Sequence, residues 1–492
     1  SKPTPLRLHH RKKTRQPLRC NRSRKNGPLP LPFDIKVGTI GCVQSDRIEM
    51  FFPSTWWTVA LDNTNHQEWV DTTWVCNPLP STIASFTFEF SSKDQPEPSP
   101  VVNMYPNVWI ATNNKTNYCL HVRALYSTTL ASFFMPCYAL QHAPHQQELL
   151  DTIRRARTNR NTNLMFVTKP SEGSGGRGIQ LVTAETLKKH VDGVVDVDQQ
   201  RTSYEYAQLY LPNPMLLRST QQRKFDFRVY GLITSFSPVP MFWLHQNGFA
   251  RLSTAPYVVP TKNVQQLQQL VPHITNVHFQ RNVPGYTVPK NQYDDCRTDT
   301  RSLICMFHAI EQEKGISVAQ MWTNLQKAVG KSLLAALVPL TRRRTETCHQ
   351  CYQLFGIDVL IDHRGHPYVV ELNASPSIET VNPGADGNVL KQVYRDTWGM
   401  TIARGGERRG HSTGRIKEWV LHSSSAAMLK DESEEQQLIE EIDVWCNRGD
   451  FDLALPPLDD FEVVGAVLQS EWRLLNAVVD VIEVFGEEGL CV

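Results

Sequence analysis

One short stretch of the chain combines two carboxylic acids with an amide in the pattern of a β-hairpin. The runs 355–362 and 367–373 are rich in β-branched and aromatic residues, and a four-residue loop containing a glycine separates them. Such a pattern is typical of two antiparallel strands joined by a short turn. Asp358 lies in the first run, and Glu371 and Asn373 lie in the second. The sequence therefore predicts that these three side chains belong to one hairpin.

The register of this hairpin follows from counting outward from its loop. If the two residues that flank the loop pair with each other, the predicted pairs are Asp362–Pro367, Val359–Val370 and Asp358–Glu371. Because successive side chains of a strand alternate between the two faces, Asn373 should share a face with Glu371. The opposite, apolar face should present Ile357, Val359, Val370 and Leu372.

Paired carboxylates in a hairpin need a cation. Side chains directly opposite each other in a ladder have Cβ atoms roughly 4.5–5.5 Å apart, where like charges destabilise the sheet. Two carboxylates and an amide oxygen are hard ligands, which suit Mg²⁺ with nucleotide phosphates at its remaining positions. A hairpin with a merely solvated polar face is the alternative, which the apolar remainder of the run disfavours. Asp358, Glu371 and Asn373 are therefore the candidate metal ligands.

A second strand-like segment, 224–230, alternates between charged and apolar residues. Lys224, Asp226 and Arg228 fall on one face, and Phe225, Phe227 and Val229 fall on the other. Two cations that flank an acid can neutralise phosphate and an anionic substrate together. Taken alone, the same alternation also fits an ordinary edge strand.

A glycine-rich loop, 170–179, follows a strand-like segment that ends at Lys169. Such a loop can place backbone N–H groups over phosphates, with the lysine as a point charge. The loop lacks the Gly-Lys-Ser/Thr ending of a Walker A motif and the spacing of a Rossmann fingerprint. An ordinary surface turn is the alternative for this segment on its own.

In their order along the chain, these and further blocks resemble the tubulin tyrosine ligase-like family over about residues 100–400. The blocks are Lys169-Pro170 with Gly176-Arg177-Gly178-Ile179, Gln208-Leu209-Tyr210-Leu211, Lys224-Phe225-Asp226-Phe227-Arg228, Arg251-Leu252-Ser253-Thr254, His273-Ile274-Thr275-Asn276 and Glu371-Leu372-Asn373-Ala374-Ser375-Pro376-Ser377. Upstream, Val102-Asn103-Met104-Tyr105-Pro106 resembles the Asn-x-x-Pro segment of the family's N-terminal domain. Six blocks in one order are far more specific than any single block.

The resemblance implies an ATP- and Mg²⁺-dependent ligase that adds a free amino acid to a carboxylate through an acyl phosphate. It implies that Asp358, Glu371 and Asn373 bind Mg²⁺. The implied nucleotide-binding residues are Lys169, Gly176, Arg177, Gly178, Ile179, Gln208, Leu209, Tyr210, Leu211, Lys224, Phe225, Asp226, Thr275 and Asn276. Arg228 and Arg251 are the implied catalytic residues, which bind the acceptor carboxylate, the acyl phosphate or the amino acid. Arg251 and Lys391 are the implied contacts of the incoming amino acid.

Three positions depart from the family pattern. Leu209 stands where the hinge usually has a lysine, Arg281 replaces a usual lysine, and Lys391 lies about two residues from the expected spacing. The block 224–230 favours the glutamylating branch, so we expect glutamate to be added to the acidic C-terminal tails of tubulin or microtubules. Tyrosine or glycine ligation is the nearest alternative. A catalytically dead, tubulin-binding family member is the alternative from another class, which Leu209 favours and the retained acidic residues disfavour.

The expected fold class is α+β: an ATP-grasp ligase core with central and C-terminal subdomains, a smaller α/β N-terminal domain and a helical C-terminal extension. Gly and Pro bound the strands of the chemistry-bearing region, and 318–340 has apolar residues at helical spacing, which indicates one or two core helices. The expected divisions are a basic disordered arm (1–35), an N-terminal subdomain (36–150, with a strand-like 86–90), the ligase core (151–400), a linker (401–415) and an acidic helical extension (416–492, with a helix around 434–445).

The 492 residues include 40% hydrophobic and 20% charged residues, as in ordinary globular proteins. Ten Lys or Arg and no acid fall in residues 1–30, whereas 401–492 hold 19 acidic and 8 basic residues. A basic arm attracts polyanions such as acidic peptide tails.

Eleven scattered cysteines disfavour a disulfide scaffold and favour a reducing compartment, and Cys348-His349-Gln350-Cys351 lacks the second half of a zinc site. Apolar runs such as 332–340 are too short to span a bilayer. We expect a cytoplasmic, cytoskeletal protein, including cilium or flagellum, with no nucleic-acid or membrane partner.

Overall fold

The structure is a computed structural model, and its description covers part of the chain. The described residues are 35–40, 57–60, 72–75, 101–105, 108–126, 132–159, 163–173, 175–193, 204–235, 241–287, 296–341, 351–374, 376, 385–401, 439 and 449–454. The predicted basic arm before residue 35, the strand-like 86–90, the linker after Thr401 and the helix around 434–445 lie outside these residues, apart from Ile439.

The described strands form three sheets. The first sheet is parallel, in the order β2-β1-β3-β4. Its strands are β1 (Ile35–Ile40), β2 (Trp57–Ala60), β3 (Thr72–Val75) and β4 (Val101–Val102). Two helices follow it, α1 (Val108–Thr112) and α2 (Lys115–Leu125). The side chain of Asn114 caps α2 by accepting the N–H of Asn117.

The second sheet is antiparallel, in the order β5-β8-β6-β7. Its strands are β5 (Cys137–Ala139), β6 (Met165–Lys169), β7 (Gln180–Thr183) and β8 (Tyr206–Leu209). Helices α3 (Ala143–Thr158) and α4 (Ala184–Val191) accompany this sheet, and their apolar faces supply Leu149, Ile153 and Leu187 to its core. The expected boundary at 150/151 falls inside α3, and β5 is hydrogen-bonded to β8. The position of the division between the N-terminal subdomain and the ligase core stays a prediction.

The third sheet has seven strands and lies over the main core. Its strands are β9 (Arg223–Ser235), β10 (Met241–His245), β11 (Phe249–Pro256), β12 (Thr300–Ser302), β13 (Gln353–Ile361), β14 (Pro367–Asn373) and β15 (Phe451–Leu453). The long strand β9 pairs with β10, β11 and β13, and β13 in turn pairs with β14, all antiparallel. A mixed fold with antiparallel sheets is thereby confirmed.

Five further helices complete the described fold. They are α5 (Val264–Gln268), α6 (Val277–Gln280), α7 (Leu303–Lys314), α8 (Val318–Thr341) and α9 (Ala385–Thr401). The apolar spacing in 318–340 is realised as the single helix α8. Leu325, Val329 and Leu333 recur every four residues along it and are buried in the core below the third sheet. No helix in the described part of the chain combines the length and the apolar character that crossing a bilayer requires.

The hairpin β13–β14 has the predicted acidic pair and a different register at its tip. Asp358 pairs with Glu371, as expected, but Val359 pairs with Val369, and Ile361 rather than Asp362 pairs with Pro367. A bulge at Val370 absorbs the difference. The predicted pairs Val359–Val370 and Asp362–Pro367 are therefore wrong. Val370 is half-buried, not a member of the fully buried apolar face.

The expected C-terminal extension is not helical throughout. Phe451–Leu453 forms β15, which pairs with the edge strand β10 of the third sheet. The Nε1 of Trp322 donates to Asp452 at 2.9 Å, and the N–H of Ala454 donates to the carbonyl of Phe242 at 2.8 Å. A sheet edge offers unpaired backbone groups, and this acidic segment satisfies those of β10.

Two disulfides connect described residues, contrary to the expectation of reduced cysteines. Cys119 of α2 bonds Cys137 of β5, and Cys296 bonds Cys305 of α7. Cys351, from the half zinc motif, is buried and disulfide-bonded, so it offers no thiolate to zinc. Scattered spacing in the sequence did not reveal these pairs, because the partners meet only in the folded chain.

Removing a core side chain from α8 tests this packing. Leu333 is fully buried against the third sheet, so Leu333→Ala should lower the free energy of unfolding by about 2–5 kcal/mol. Lys327→Ala, at an exposed position of the same helix, should change it by less than about 0.5 kcal/mol. Urea denaturation followed by circular dichroism measures both. Equal effects of the two variants would contradict the placement of α8.

Candidate functional site

The second and third sheets meet where Lys169 approaches Glu371. Lys169 is the last residue of β6, and Glu371 lies on β14. The lysine Nζ lies 3.8 Å from the carboxylate Oε2, and the lysine is nearly completely buried. Burial lowers the pKa of Lys169, and the negative charge of Glu371 offsets this only in part. Any further negative charge nearby would stabilise the protonated form of this lysine.

Asp358 is neutralised by two arginines at the centre of the site. Nε of Arg228 donates to Oδ1 of Asp358 at 2.5 Å, and Nη2 of Arg251 lies 3.0 Å from Oδ2. Burial alone would raise the pKa of this carboxyl, but the charges of Arg228 and Arg251 outweigh burial and hold it well below its usual range. Asp358 is therefore a carboxylate at every physiological pH, as a metal ligand must be.

A second buried carboxylate, Asp226, orients Arg251. Nε and Nη2 of Arg251 donate to Oδ1 and Oδ2 of Asp226 at 2.8 and 2.6 Å, in a bidentate pair. The hydroxyl of Thr275 donates to the same Oδ2 at 2.7 Å. The strand register explains the meeting, because β11 pairs Arg251 directly with Asp226 of β9. Arg251 thus bridges two of the site's acids.

Lys224 lies on the same face of β9 and faces the second sheet. Its Nζ donates to the carbonyl of His273 at 2.9 Å and lies 4.7 Å from the ring centre of Tyr210. Burial lowers the pKa of Lys224 to about 8, although Asp226 opposes the shift. The Tyr210 hydroxyl is within 2.9 Å of Nδ1 of His273, which fixes both rings. Lys224, Asp226 and Arg228 therefore share one face, as the alternation predicts.

The glycine loop packs against the segment that begins α6. Gly175, Gly176 and Gly178 have φ of +71°, +76° and +72°, conformations that other residues rarely adopt. A Cβ built on Gly176 would lie 3.7 Å from that of Asn276, so the loop packs against the start of α6. Within the loop, Arg177 is exposed and Ile179 is half-buried. Two blocks nearly 100 residues apart in the sequence are thus in contact.

The predicted hinge lies on β8 and contains a polar atom without a partner. Gln208 is buried, and its Nε2 has no hydrogen-bond acceptor among the described residues. Thr168 Oγ1, on β6, also lacks a partner, but Thr168 pairs with Ala207 and therefore lies on the opposite face of the sheet from Gln208. Leu209 packs against the apolar core of the second sheet, while Tyr210 and Leu211 are buried. The unsatisfied Nε2 of Gln208, on the face of the sheet that also carries Lys169, fits a site that a polar ligand completes.

Asn373 shares the end of β14 with Glu371. Its Nδ2 donates to the carbonyl of Gly356 at 3.1 Å, which leaves the amide oxygen as the atom able to meet a cation. Both Asn373 and Glu371 are half-buried. The oxygen donors at Asp358, Glu371 and Asn373 therefore form a set of the type that Mg²⁺ prefers.

Two predicted contacts lie elsewhere. Phe225 is 1% exposed and packs in the main core, on the opposite face of β9 from Lys224, so its side chain is a core residue and not a nucleotide contact. Strand alternation is the reason. Lys391 lies at an exposed position of α9, and the structure brings it to none of the groups described above.

Sequence reasoning missed the side chains that hold the glycine loop. Oε2 of Glu205 accepts the N–H of Ser171 at 3.0 Å, and Nζ of Lys115 donates to the carbonyl of Gly173 at 2.9 Å. A single lysine or glutamate at the start of an element carries no pattern, so the sequence offered no signal for either.

His245, Asp396 and Asp450 form a separate acidic cluster whose geometry resembles a metal site. Its polar atoms already have partners: Asp396 accepts hydrogen bonds from His245, from Gln392 and from the N–H of Asp450. The cluster therefore fastens the segment before β15 to α9 and needs no ion. It is distinct from the site around Asp358.

The tubulin-tyrosine ligase family model matches residues 92–405, more than half of the chain. The chain belongs to the tubulin-tyrosine ligase family. The matched range contains every residue of the site described above.

Several curated members of this family are similar to the chain. A tubulin polyglutamylase of Caenorhabditis elegans is 29% identical over 252 residues, which are 50% of this chain and 32% of that protein. A tubulin polyglutamylase of Homo sapiens is 27% identical over 47% of this chain and 24% of its own length. A probable alpha-tubulin polyglutamylase of Tetrahymena thermophila is 26% identical over 57% of this chain and 64% of its own length. The matched segment thus covers less than two thirds of each of these relatives.

The buried acid at the centre of this family member's site should be essential for its stability. Asp226→Ala would leave the guanidinium of Arg251 and the hydroxyl of Thr275 without their shared partner, so we expect a loss of roughly 3–5 kcal/mol in the free energy of unfolding. Asp151→Ala breaks only exposed contacts on α3, with Arg154 and Gln147, and should cost under about 0.5 kcal/mol. Denaturant titration compares them. Similar midpoints and slopes for both variants would rule out a buried network at Asp226.

Proposed function

We propose that this tubulin-tyrosine ligase family member is an ATP- and Mg²⁺-dependent ligase. It adds an amino acid, glutamate, to side-chain carboxylates of tubulin C-terminal tails through an acyl phosphate. The observation that supports the proposal best is one largely buried cluster of charges between two sheets, with four cations and three carboxylates: Lys169, Lys224, Arg228, Arg251, Asp226, Asp358 and Glu371. Because the positive and negative charges of this cluster nearly cancel, it binds a triphosphate best together with a divalent cation.

The residues present fit Mg²⁺ and ATP. Oxygen ligands for Mg²⁺ come from Asp358, Glu371 and Asn373, and the unpartnered Nε2 of Gln208 supplies a donor at the hinge. When bound, Mg-ATP supplies the phosphoryl group that activates the acceptor carboxylate; the amine of the amino acid then forms the amide as phosphate leaves. The family relationship raises the expectation of both cofactors.

The chain's own part in this reaction is positioning and charge stabilisation. Lys169 and Lys224 neutralise phosphate oxygens, and the N–H groups of the glycine loop cover them. Arg228 and Arg251 hold the charge that develops on the acceptor carboxylate. Both guanidinium groups are already fixed by carboxylates, so they need little reorganisation during the reaction.

Glutamate and tubulin are proposed from the relatives. Those named above are described as tubulin polyglutamylases. Their acidic substrate also suits a site that binds carboxylates with arginine. Lys391 and Arg251 are the proposed contacts of the incoming amino acid; because Lys391 is exposed on α9, its part in binding requires the amino acid to enter from that side.

Mass spectrometry of tubulin tails tests the proposal. Purified protein, tubulin and Mg-ATP are incubated with labelled glutamate, tyrosine or glycine in separate reactions. We expect glutamate to be attached by the wild type and by Glu185→Gln, a control at an exposed glutamate of α4, and at most about 1% of that rate by Glu371→Gln.

Each outcome of that experiment has a definite meaning. Attachment of tyrosine or glycine instead of glutamate would change the proposed amino acid, and the protein would still be a ligase. Full activity of Glu371→Gln would overturn the metal assignment. A wild type that binds tubulin but transfers none of the three amino acids, and shows no Mg²⁺-dependent ATP binding by thermal shift, would be a non-catalytic family member.

The lowered pKa of Lys224 predicts a pH dependence. Below pH 8 its ammonium is charged and attracts phosphate; above pH 8 it loses its proton, so kcat/KM for Mg-ATP should fall, with an inflection near pH 8. Lys224→Arg keeps its charge throughout this range and should lose the inflection, whatever its absolute rate. Initial rates between pH 6.5 and 9.5 measure both profiles. A wild-type profile that is flat to pH 9.5 would contradict a phosphate-binding Lys224.

A further inference from the structure

Residues 113–116, the two residues that join α1 to α2 and the first two residues of α2, lie against two separate parts of the proposed nucleotide site. The N–H of Lys115 donates to the carbonyl of Ser171 at 2.9 Å, and the hydroxyls of Thr116 and Ser171 are hydrogen-bonded to each other. Nζ of Lys115 donates to the carbonyl of Gly173 at 2.9 Å. This segment therefore binds the first half of the glycine loop through backbone and side chains.

The same segment also binds the strand that carries the metal ligands. Oδ1 of Asn113 accepts the N–H of Ala374 at 2.7 Å, and Ala374 directly follows Asn373. The glycine loop belongs to the second sheet, whereas β14 belongs to the third. Residues 113–116 thus contact both the second sheet and the third sheet.

The segment has a rigid support. Asn114 caps α2, and further along α2 the hydroxyl of Tyr118 donates to the carbonyl of Ser332 on α8 at 3.0 Å. The disulfide between Cys119 and Cys137 ties α2 to β5, next to the hinge strand β8. A helix fixed at these points can hold a loop that has several glycines and little stiffness of its own.

We propose that residues 113–116, with Lys115 foremost, are a positioning segment that holds residues 171–173 of the glycine loop in place beside the proposed nucleotide site. The contact of Asn113 with Ala374 couples this position to the strand that presents Glu371 and Asn373. The proposal rests on the proposed function for the identity of the nucleotide. The loop contacts themselves exist without it.

Hydrogen exchange of the nucleotide-free protein tests the holding of the loop directly. Lys115→Met removes the ammonium and keeps most of the side-chain volume, so amides in 171–179 should exchange at least about tenfold faster, a loss equivalent to one charge-assisted hydrogen bond. Lys115→Arg should restore most of the protection, because a guanidinium can donate to the same carbonyl. Lys327→Met, at an exposed position of α8, is the matched control and should change nothing in this peptide.

Steady-state kinetics tests the consequence for nucleotide. We expect Lys115→Met to raise KM for Mg-ATP roughly tenfold, with kcat within about twofold and KM for the amino acid unchanged. Thr116→Ala, which removes only the contact with Ser171, should raise the same KM by a smaller factor. This second variant provides the test if Lys115→Met proves unstable in a thermal melt.

The outcomes separate this proposal from the proposed function. Unchanged exchange in 171–179 for both variants would overturn the positioning segment, whether or not the protein is a ligase. A fall in kcat with KM for Mg-ATP unaltered would assign Lys115 to chemistry and overturn the positioning role. Faster exchange in Lys115→Met, together with a wild type that binds no Mg-ATP, would keep the loop contact and reject the nucleotide.

Discussion

The site depends on one buried contact, the carboxylate of Asp358 between the guanidinium groups of Arg228 and Arg251. Three strands supply these residues: β13, β9 and β11. A buried charge without a partner would be prohibitive, so the three strands must keep their registers for the charges to cancel. The same requirement fixes Asp226, which holds Arg251 from its other side. The charge network is therefore also a constraint on how the third sheet pairs.

This network refines the initial explanation for paired acids in the hairpin. From the hairpin pattern alone, a cation is expected between Asp358 and Glu371 to relieve their repulsion. In the structure, arginines already neutralise Asp358, and Lys169 approaches Glu371 at 3.8 Å. The acids are therefore compatible with the fold before any metal arrives. A triphosphate carries more negative charge than this cluster can neutralise, because its three carboxylates offset most of the charge of its four cations. A divalent ion is therefore needed when a triphosphate binds.

The sequence predicted well what depends on neighbours along the chain. Alternation placed Lys224, Asp226 and Arg228 on one face, and the apolar spacing of 318–340 predicted α8. The acidic pair was right although the pairs at the tip were wrong. The carboxylate of Asp362 accepts the N–H groups of Arg364 and His366, so Asp362 belongs to the turn and not to the ladder. The bulge at Val370 then restores the register, and no periodic pattern announces a bulge.

Contacts between distant segments could not be predicted in this way. The attachment of β15 to β10, the disulfides and the contacts of residues 113–116 all join parts of the chain that lack a shared motif. Phe225 shows a different source of error. A sequence block that matches a family contains core residues as well as site residues, and strand alternation tells the two apart. Lys391 was assigned by approximate spacing alone, which is weak evidence for a position on a helix.

A structure of the protein with Mg²⁺ and a non-hydrolysable ATP analogue would show whether this charge network holds a nucleotide. We expect one nucleotide between the second and third sheets, with Mg²⁺ about 2.0–2.1 Å from oxygens of Asp358, Glu371 and Asn373 and with Lys169 and Lys224 on the phosphates. A nucleotide bound elsewhere, or a cleft in which Arg228 and Arg251 keep Asp358 entirely from the metal, would contradict it.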